Sequence, residues 1–168
     1  DLKQKNVDYV ITGGADTNLS PANLMAFQLI KVLSPEESRI FDRRSKGLVM
    51  SEGAALMVLT TYRKARENGM EIIGEISDFA FSSYAAQNFI APTTEGFTRV
   101  INSFYGKSPF RKRQIDYIDV FASSHVVVDT WEKQALENTF PRRLYFGNIK
   151  PEIGYFRSAN PAVAISKI

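Results

Sequence analysis

The sequence predicts a layered α/β fold. Short β-rich apolar runs alternate along the chain with segments whose apolar residues recur at helical spacing. With 168 residues, 44% of them hydrophobic and 23% charged, the chain can bury a core of ordinary size and is too apolar to be disordered. No apolar run approaches the roughly 18 residues that cross a bilayer.

Each element has its own local reason. Residues 7–12 are β-rich and apolar and end at Gly13-Gly14, which predicts a buried strand entering a tight turn. Ser20 before Pro21 is a helix cap with a first-turn proline, and residues 22–33 then carry helical apolar spacing. Residues 34–46 are charged and irregular, which reads as a surface excursion. Residues 54–59 are a short apolar run suited to a second central strand. Residues 61–68 read as a helix stopped by Gly69, and 71–81 as a strand partly covered on both faces. In 94–104, Phe97, Val100, Ile101 and Phe104 recur at three- and four-residue steps along one helix face. A strand at 115–121, a helix at 130–138, a strand at 144–149 and the start of a helix at 159–168 follow. Five buried strands are expected, the first two in one sheet and the last three in a second.

Composition narrows the chemistry. The chain has no cysteine, which excludes a disulfide framework, a thiolate metal site and a cysteine nucleophile within it. The net charge is +3, but the basic residues are dispersed apart from Arg111-Lys112-Arg113 and Arg142-Arg143. Such short runs read as solvated turns, so nucleic acid is not an expected partner. Gly13-Gly14 lacks the spacing of a phosphate cradle and reads as a plain turn. Ser123-Ser124-His125 with Asp129 holds the ingredients of a nucleophile, base and orienting acid. Triad members normally converge from separate segments, however, and no Gly-x-Ser-x-Gly elbow is present. His125, the only histidine, reads as a loop residue.

Two longer motifs say more. Residues 115–132 read IDYIDVFASSHVVVDTWE. They resemble the segment of β-ketoacyl synthases, condensing enzymes of the thiolase superfamily, in which a buried strand opens into His-Gly-Thr-x-Thr and then Asp-x-x-Glu on a helix. Asp116-Tyr117-Ile118 keeps the strand, and Asp129 and Glu132 keep the helix start. Residues 145–168, YFGNIKPEIGYFRSANPAVAISKI, resemble the strand that ends in a lysine, followed by a Gly-His pair. Lys150 and Gly154 fall at that spacing. Residues 7–21, Leu33-Ser34, Phe41-Asp42-Arg43-Arg44, the run from Gly47 to Ala55 and residues 65–75 resemble further motifs of the family, in order. Leu48, Ser51 and Asn68 depart from its pattern.

The resemblance implies a thiolase-like layered α/β fold, with residues 1–70 as the end of its N-terminal half and 71–168 as a truncated C-terminal half. A preceding part with the nucleophile-bearing elbow and a later glycine-rich loop are implied outside this chain. The two positions where active members carry histidines, which polarise a thioester and decarboxylate a malonyl group, are Phe121 and Tyr155. A phenyl ring neither donates a hydrogen bond to a thioester oxygen nor moves a proton. No catalytic residue is therefore assigned. Asp129, Glu132 and Lys150 match a polar network behind the histidines and are expected as structural support. Lys150 should form a salt bridge with Glu132 or, as second choice, Asp129.

Phe121, Ser123, Tyr155 and Phe156 are expected to line the former pocket. Phe121, Tyr155 and Phe156 are read as filling it, with one wall of an acyl tunnel as the alternative, and Phe121 and Tyr155 are expected close in space. No metal and no cofactor are expected. The implied function is that of a non-catalytic, chain-length-factor-type subunit supporting carrier-protein-dependent polyketide, aryl-polyene or fatty-acid elongation in the cytoplasm. Its implied partners are an active ketosynthase subunit and, through that complex, an acyl carrier protein, with no nucleic acid and no membrane. Two alternatives stay open: an active β-ketoacyl synthase with a divergent site, and a thiolase-fold scaffold or acyl-binding protein.

Overall fold

Two small sheets organise the chain in the computed structural model, which describes residues 2, 7–83, 92–140 and 144–167. The basic pair Arg142-Arg143 lies outside these residues. Strand β1 (Tyr9–Asp16) pairs antiparallel with β2 (Gly53–Thr60), placing Ile11 opposite Val58. Strand β3 (Tyr117–Asp119) pairs in parallel with β4 (Tyr145–Gly147). The division into an early and a late sheet therefore holds, with β3 and β4 shorter than the sequence suggests.

Two expectations about the strands are corrected. Residues 71–83 form no regular structure, and Ile73 and Phe81 are 97% and 82% exposed. A strand exists only where a neighbour completes its backbone hydrogen bonds, and among the described residues none runs alongside. The early sheet is also not buried on both sides. Ile11, Leu56 and Val58 share an open face, while the other face carries the turn and helix described next.

Gly13-Gly14 lies inside β1 and makes no turn. A Cβ on Gly14 would come within 2.8 Å of the Ala159 Cα and the Ser158 carbonyl oxygen. The missing side chain lets the 3-10 turn Arg157–Ala159 press against the strand. Asp16 adds a clasp there, accepting the Ser158 N–H at 3.0 Å and its hydroxyl as well.

The helices begin where their caps dictate. Helix α1 (Pro21–Leu29) is capped by the Ser20 hydroxyl, which accepts the Asn23 N–H at 3.3 Å. It ends before residue 33, and Lys31 takes a left-handed conformation just beyond. Helix α2 (Tyr62–Glu67) is capped by Thr61 and followed by Gly69 at φ 63°. Helix α3 (Thr94–Tyr105) packs against α4 (Val126–Thr139). Helix α4 starts well before residue 130, because Val126-Val127-Val128 is a β-branched run whose low helix propensity hides its first turn. Helix α5 (Lys150–Ile153) begins at the lysine expected to end a strand. Helix α6 (Asn160–Ile165) then covers the inner face of β1 and β2.

A backbone bridge helps join the two parts of the chain. Tyr155 N–H donates to Val49 at 2.8 Å, and Ser51 N–H donates to Tyr155 at 3.0 Å. Small residues dominate the best-buried positions nearby: Ala122, Ala135 and Ala159 are all inaccessible to solvent.

A candidate site around Lys150

The loop from Phe121 to His125 leaves β3 and enters α4 through two left-handed residues, Ala122 at φ 39° and Ser124 at φ 58°. Such conformations cost L-residues about 1–2 kcal/mol each. Charge-assisted hydrogen bonds hold the loop there. Glu132, one turn inside α4, accepts the N–H groups of Phe121 and Ala122, both at 2.7 Å. Asp129, in the first turn of α4, accepts the Ser123 hydroxyl and the Phe41 N–H, both at 2.9 Å. Each such bond contributes about 1.5–3 kcal/mol. The position of Asp129 at the helix start also places its charge against free backbone N–H groups.

Lys150 completes the site from the opposite side. It is 2% exposed, and its ammonium donates to the Phe121 carbonyl oxygen. The same nitrogen lies 4.9 Å from the Phe121 ring centroid and 5.4 Å from the Tyr155 ring centroid. Phe121 and Tyr155 thus face one buried cation, an arrangement the sequence reading did not foresee. The expected salt bridge does not form: among the described residues Lys150 has no carboxylate oxygen within 4.0 Å. Glu132 and Asp129 are occupied by backbone and hydroxyl donors that reach them first.

Burial pushes the Lys150 pKa down to about 8, against the opposing pull of the Glu132, Asp119 and Asp129 charges. Burial likewise pushes the carboxyls of Glu132 and Asp119 up, partly offset at Glu132 by its two backbone N–H donors. The Tyr155 phenol is also raised by burial and stays neutral.

The remaining sequence candidates separate. Ser123 is buried, and its hydroxyl is committed to Asp129. Phe156 is a core residue, packed so tightly against Gly53 that a Cβ there would lie 2.5 Å from its ring. His125 is the last loop residue before α4, as expected, and its side chain makes no cap bond to the helix. Its backbone N–H donates to the Ser123 hydroxyl at 3.2 Å, while its Nδ1 is buried without a partner. Ser123, His125 and Asp129 therefore do not assemble a triad. An apolar groove of about 300 Å³ lies elsewhere, between α3 and α4, with Ile101, Phe104, Leu136 and Phe140 among its walls. None of Phe121, Ser123, Tyr155 and Phe156 lines it.

Three participants escaped the sequence reading. Asn148 donates its amide to the Val120 carbonyl and accepts the Lys150 N–H at 2.7 Å, so it sets the backbone from which the lysine projects. A buried asparagine between apolar strand residues was the available signal. Phe41 supplies a backbone N–H to Asp129, and Asp119 supplies charge. Neither role has a local signature.

Comparison with known proteins agrees with this architecture. The model of the β-ketoacyl synthase N-terminal domain matches residues 1–65, and that of the C-terminal domain matches residues 73–168. Nodulation protein E of Rhizobium leguminosarum bv. trifolii is 27% identical over 139 residues, covering 83% of this chain and 34% of the relative. Putative polyketide beta-ketoacyl synthase 1 of Streptomyces cyaneus is 28% identical over 175 residues, covering 98% of this chain and 41% of the relative. The chain therefore spans between a third and about two fifths of the length of these relatives.

Among solved structures, the ishigamide ketosynthase/chain length factor matches with a TM-score of 0.89 at 23% identity, covering 98% of this chain and 40% of that one. A type II polyketide synthase acyl-carrier protein in complex with its ketosynthase matches with a TM-score of 0.87 at 20% identity, covering 99% and 43%. At such identities the structures speak for the fold alone. The family models and the shared fold lead to one conclusion: this chain belongs to the β-ketoacyl synthase family and has its thiolase-like fold.

Proposed function

We propose that this chain is a non-catalytic subunit of the chain-length-factor type, supporting carrier-protein-dependent polyketide, aryl-polyene or fatty-acid elongation. The observation that carries the reading is the pair of aromatic rings, Phe121 and Tyr155, packed on the Lys150 ammonium. These rings stand where the resemblance implies histidines. Neither supplies an imidazole to polarise a thioester carbonyl or to take up a proton, and the chain has no cysteine to carry an acyl group. Oxyanion stabilisation commonly contributes several kcal/mol to such reactions, so losing its donors at both histidine positions lowers the rate steeply.

The polar network survives because it has a structural task. Glu132, Asp129 and Lys150 hold a strained loop, and removing one of them leaves the backbone or hydroxyl groups it bonds without a partner. We assign as partners an active ketosynthase subunit and, through the complex, an acyl carrier protein, and we place the assembly in the cytoplasm. Among the described residues no helix is long and apolar enough to cross a membrane.

The test is decarboxylation of a malonyl carrier protein together with acyl transfer. Both are measured for the isolated chain and for the chain mixed with an intact ketosynthase. The expected result is no turnover by the chain alone, including the Phe121→His/Tyr155→His variant, and turnover only in the mixture. Turnover by the isolated chain would overturn the proposal.

A further inference from the structure

The Lys150 ammonium is enclosed by groups that hold a cation without neutralising it. It donates to the Phe121 carbonyl and faces the rings of Phe121 and Tyr155. The carboxylates of α4 are engaged elsewhere, Glu132 on the Phe121 and Ala122 amides and Asp129 on Ser123 and Phe41. From β3, Asp119 contributes a charge at longer range. Beyond α5, the neutral Tyr155 phenol feels Arg157 and Asp16, which act on it with opposite sign.

The backbones of the two aromatic residues are pinned. Phe121 is fixed by Glu132, and Tyr155 by its bridge to the segment Val49–Ser51. What remains adjustable is the placement of the two rings. Attraction between an aromatic face and an ammonium depends on the positive charge and is lost with it. The carbonyl hydrogen bond weakens in the same step.

We propose that Lys150 is a proton-operated latch: as an ammonium it clasps the rings of Phe121 and Tyr155, and as a neutral amine it releases them. Burial holds the Lys150 pKa near 8, which places the release in mildly alkaline solution, below the range in which Tyr155 itself ionises. The latch concerns side-chain packing alone and does not rest on the functional reading above.

The experiment is an NMR titration of the whole chain, with ring-labelled phenylalanine and tyrosine, from about pH 6.5 to about pH 9.5. Phe121→Leu and Tyr155→Phe variants assign the two ring signals. In the unaltered chain both signals should move together with a midpoint near 8. In Lys150→Arg, charged throughout this range, both should stay at their low-pH positions. Asp119→Asn removes one carboxylate that favours the ammonium, so the midpoint should fall. Ring signals that do not move in the unaltered chain would overturn the latch. So would a transition that persists in Lys150→Arg, or a midpoint indifferent to Asp119→Asn.

Discussion

Glu132 and Lys150 grip opposite ends of the same residue. The Glu132 carboxylate accepts the Phe121 N–H at 2.7 Å, and the Lys150 ammonium donates to the Phe121 carbonyl. Two buried opposite charges thus face each other across one residue rather than in direct contact. Each group stays solvated by backbone dipoles, and their attraction acts across the residue that closes β3.

Removing Glu132 should therefore be costly. Glu132→Ala leaves one buried and one part-buried N–H unpaired and takes away a counter-charge of Lys150. Loss of one member of a buried charged network costs about 3–5 kcal/mol. Urea unfolding should show at least about 3 kcal/mol of destabilisation, and a loss under about 1 kcal/mol would mean the loop is held by something else.

The pH dependence has a definite sign. Lys150 titrates near 8 in the fold and at its ordinary value of 10.5 when unfolded. Between those values the unfolded chain binds the additional proton, so stability rises with pH across that window. The full span corresponds to about 3 kcal/mol. Unfolding free energies measured from about pH 7.5 to about pH 10 should rise for the unaltered chain relative to Lys150→Met. A difference that stays flat would refute the assignment.

Ser124 is a site where substitution should stabilise. It is fully buried at φ 58°, and its hydroxyl has no partner. Ser124→Gly removes both the conformational strain and the unsatisfied group, at the cost of a more flexible unfolded chain. A net gain of about 1–2 kcal/mol is expected by thermal or chemical unfolding. Ser124→Ala relieves only the hydroxyl and should gain less.

Gly14 tests the packing of β1 on the 3-10 turn. Gly14→Ala places a methyl group within 2.8 Å of the Ala159 Cα and the Ser158 oxygen, both backbone atoms that cannot rotate away. Overpacking of this kind costs about 1–3 kcal/mol. Gly74→Ala, where nothing lies within 4 Å, is the control and should change stability little.

What the sequence determined by itself is what depends on neighbours along the chain. Ser20 announces a helix start because a cap bonds its own first turn. The apolar runs near residues 9 and 56 announce strands, and the ordered motifs identify the family. The absence of cysteine and the aromatic residues at 121 and 155 need no coordinates either. The tertiary structure decided matters of competition and company. Residues 71–81 have strand character, but a strand needs a partner's peptide groups. Gly14 looked like a turn until the backbone at Ser158 was seen against it. Lys150 had two acids in reach of expectation, yet backbone N–H groups and a hydroxyl claimed them, leaving the ammonium to a carbonyl and two rings. Which donor reaches a carboxylate first is a question of distance in three dimensions, and sequence spacing does not contain it.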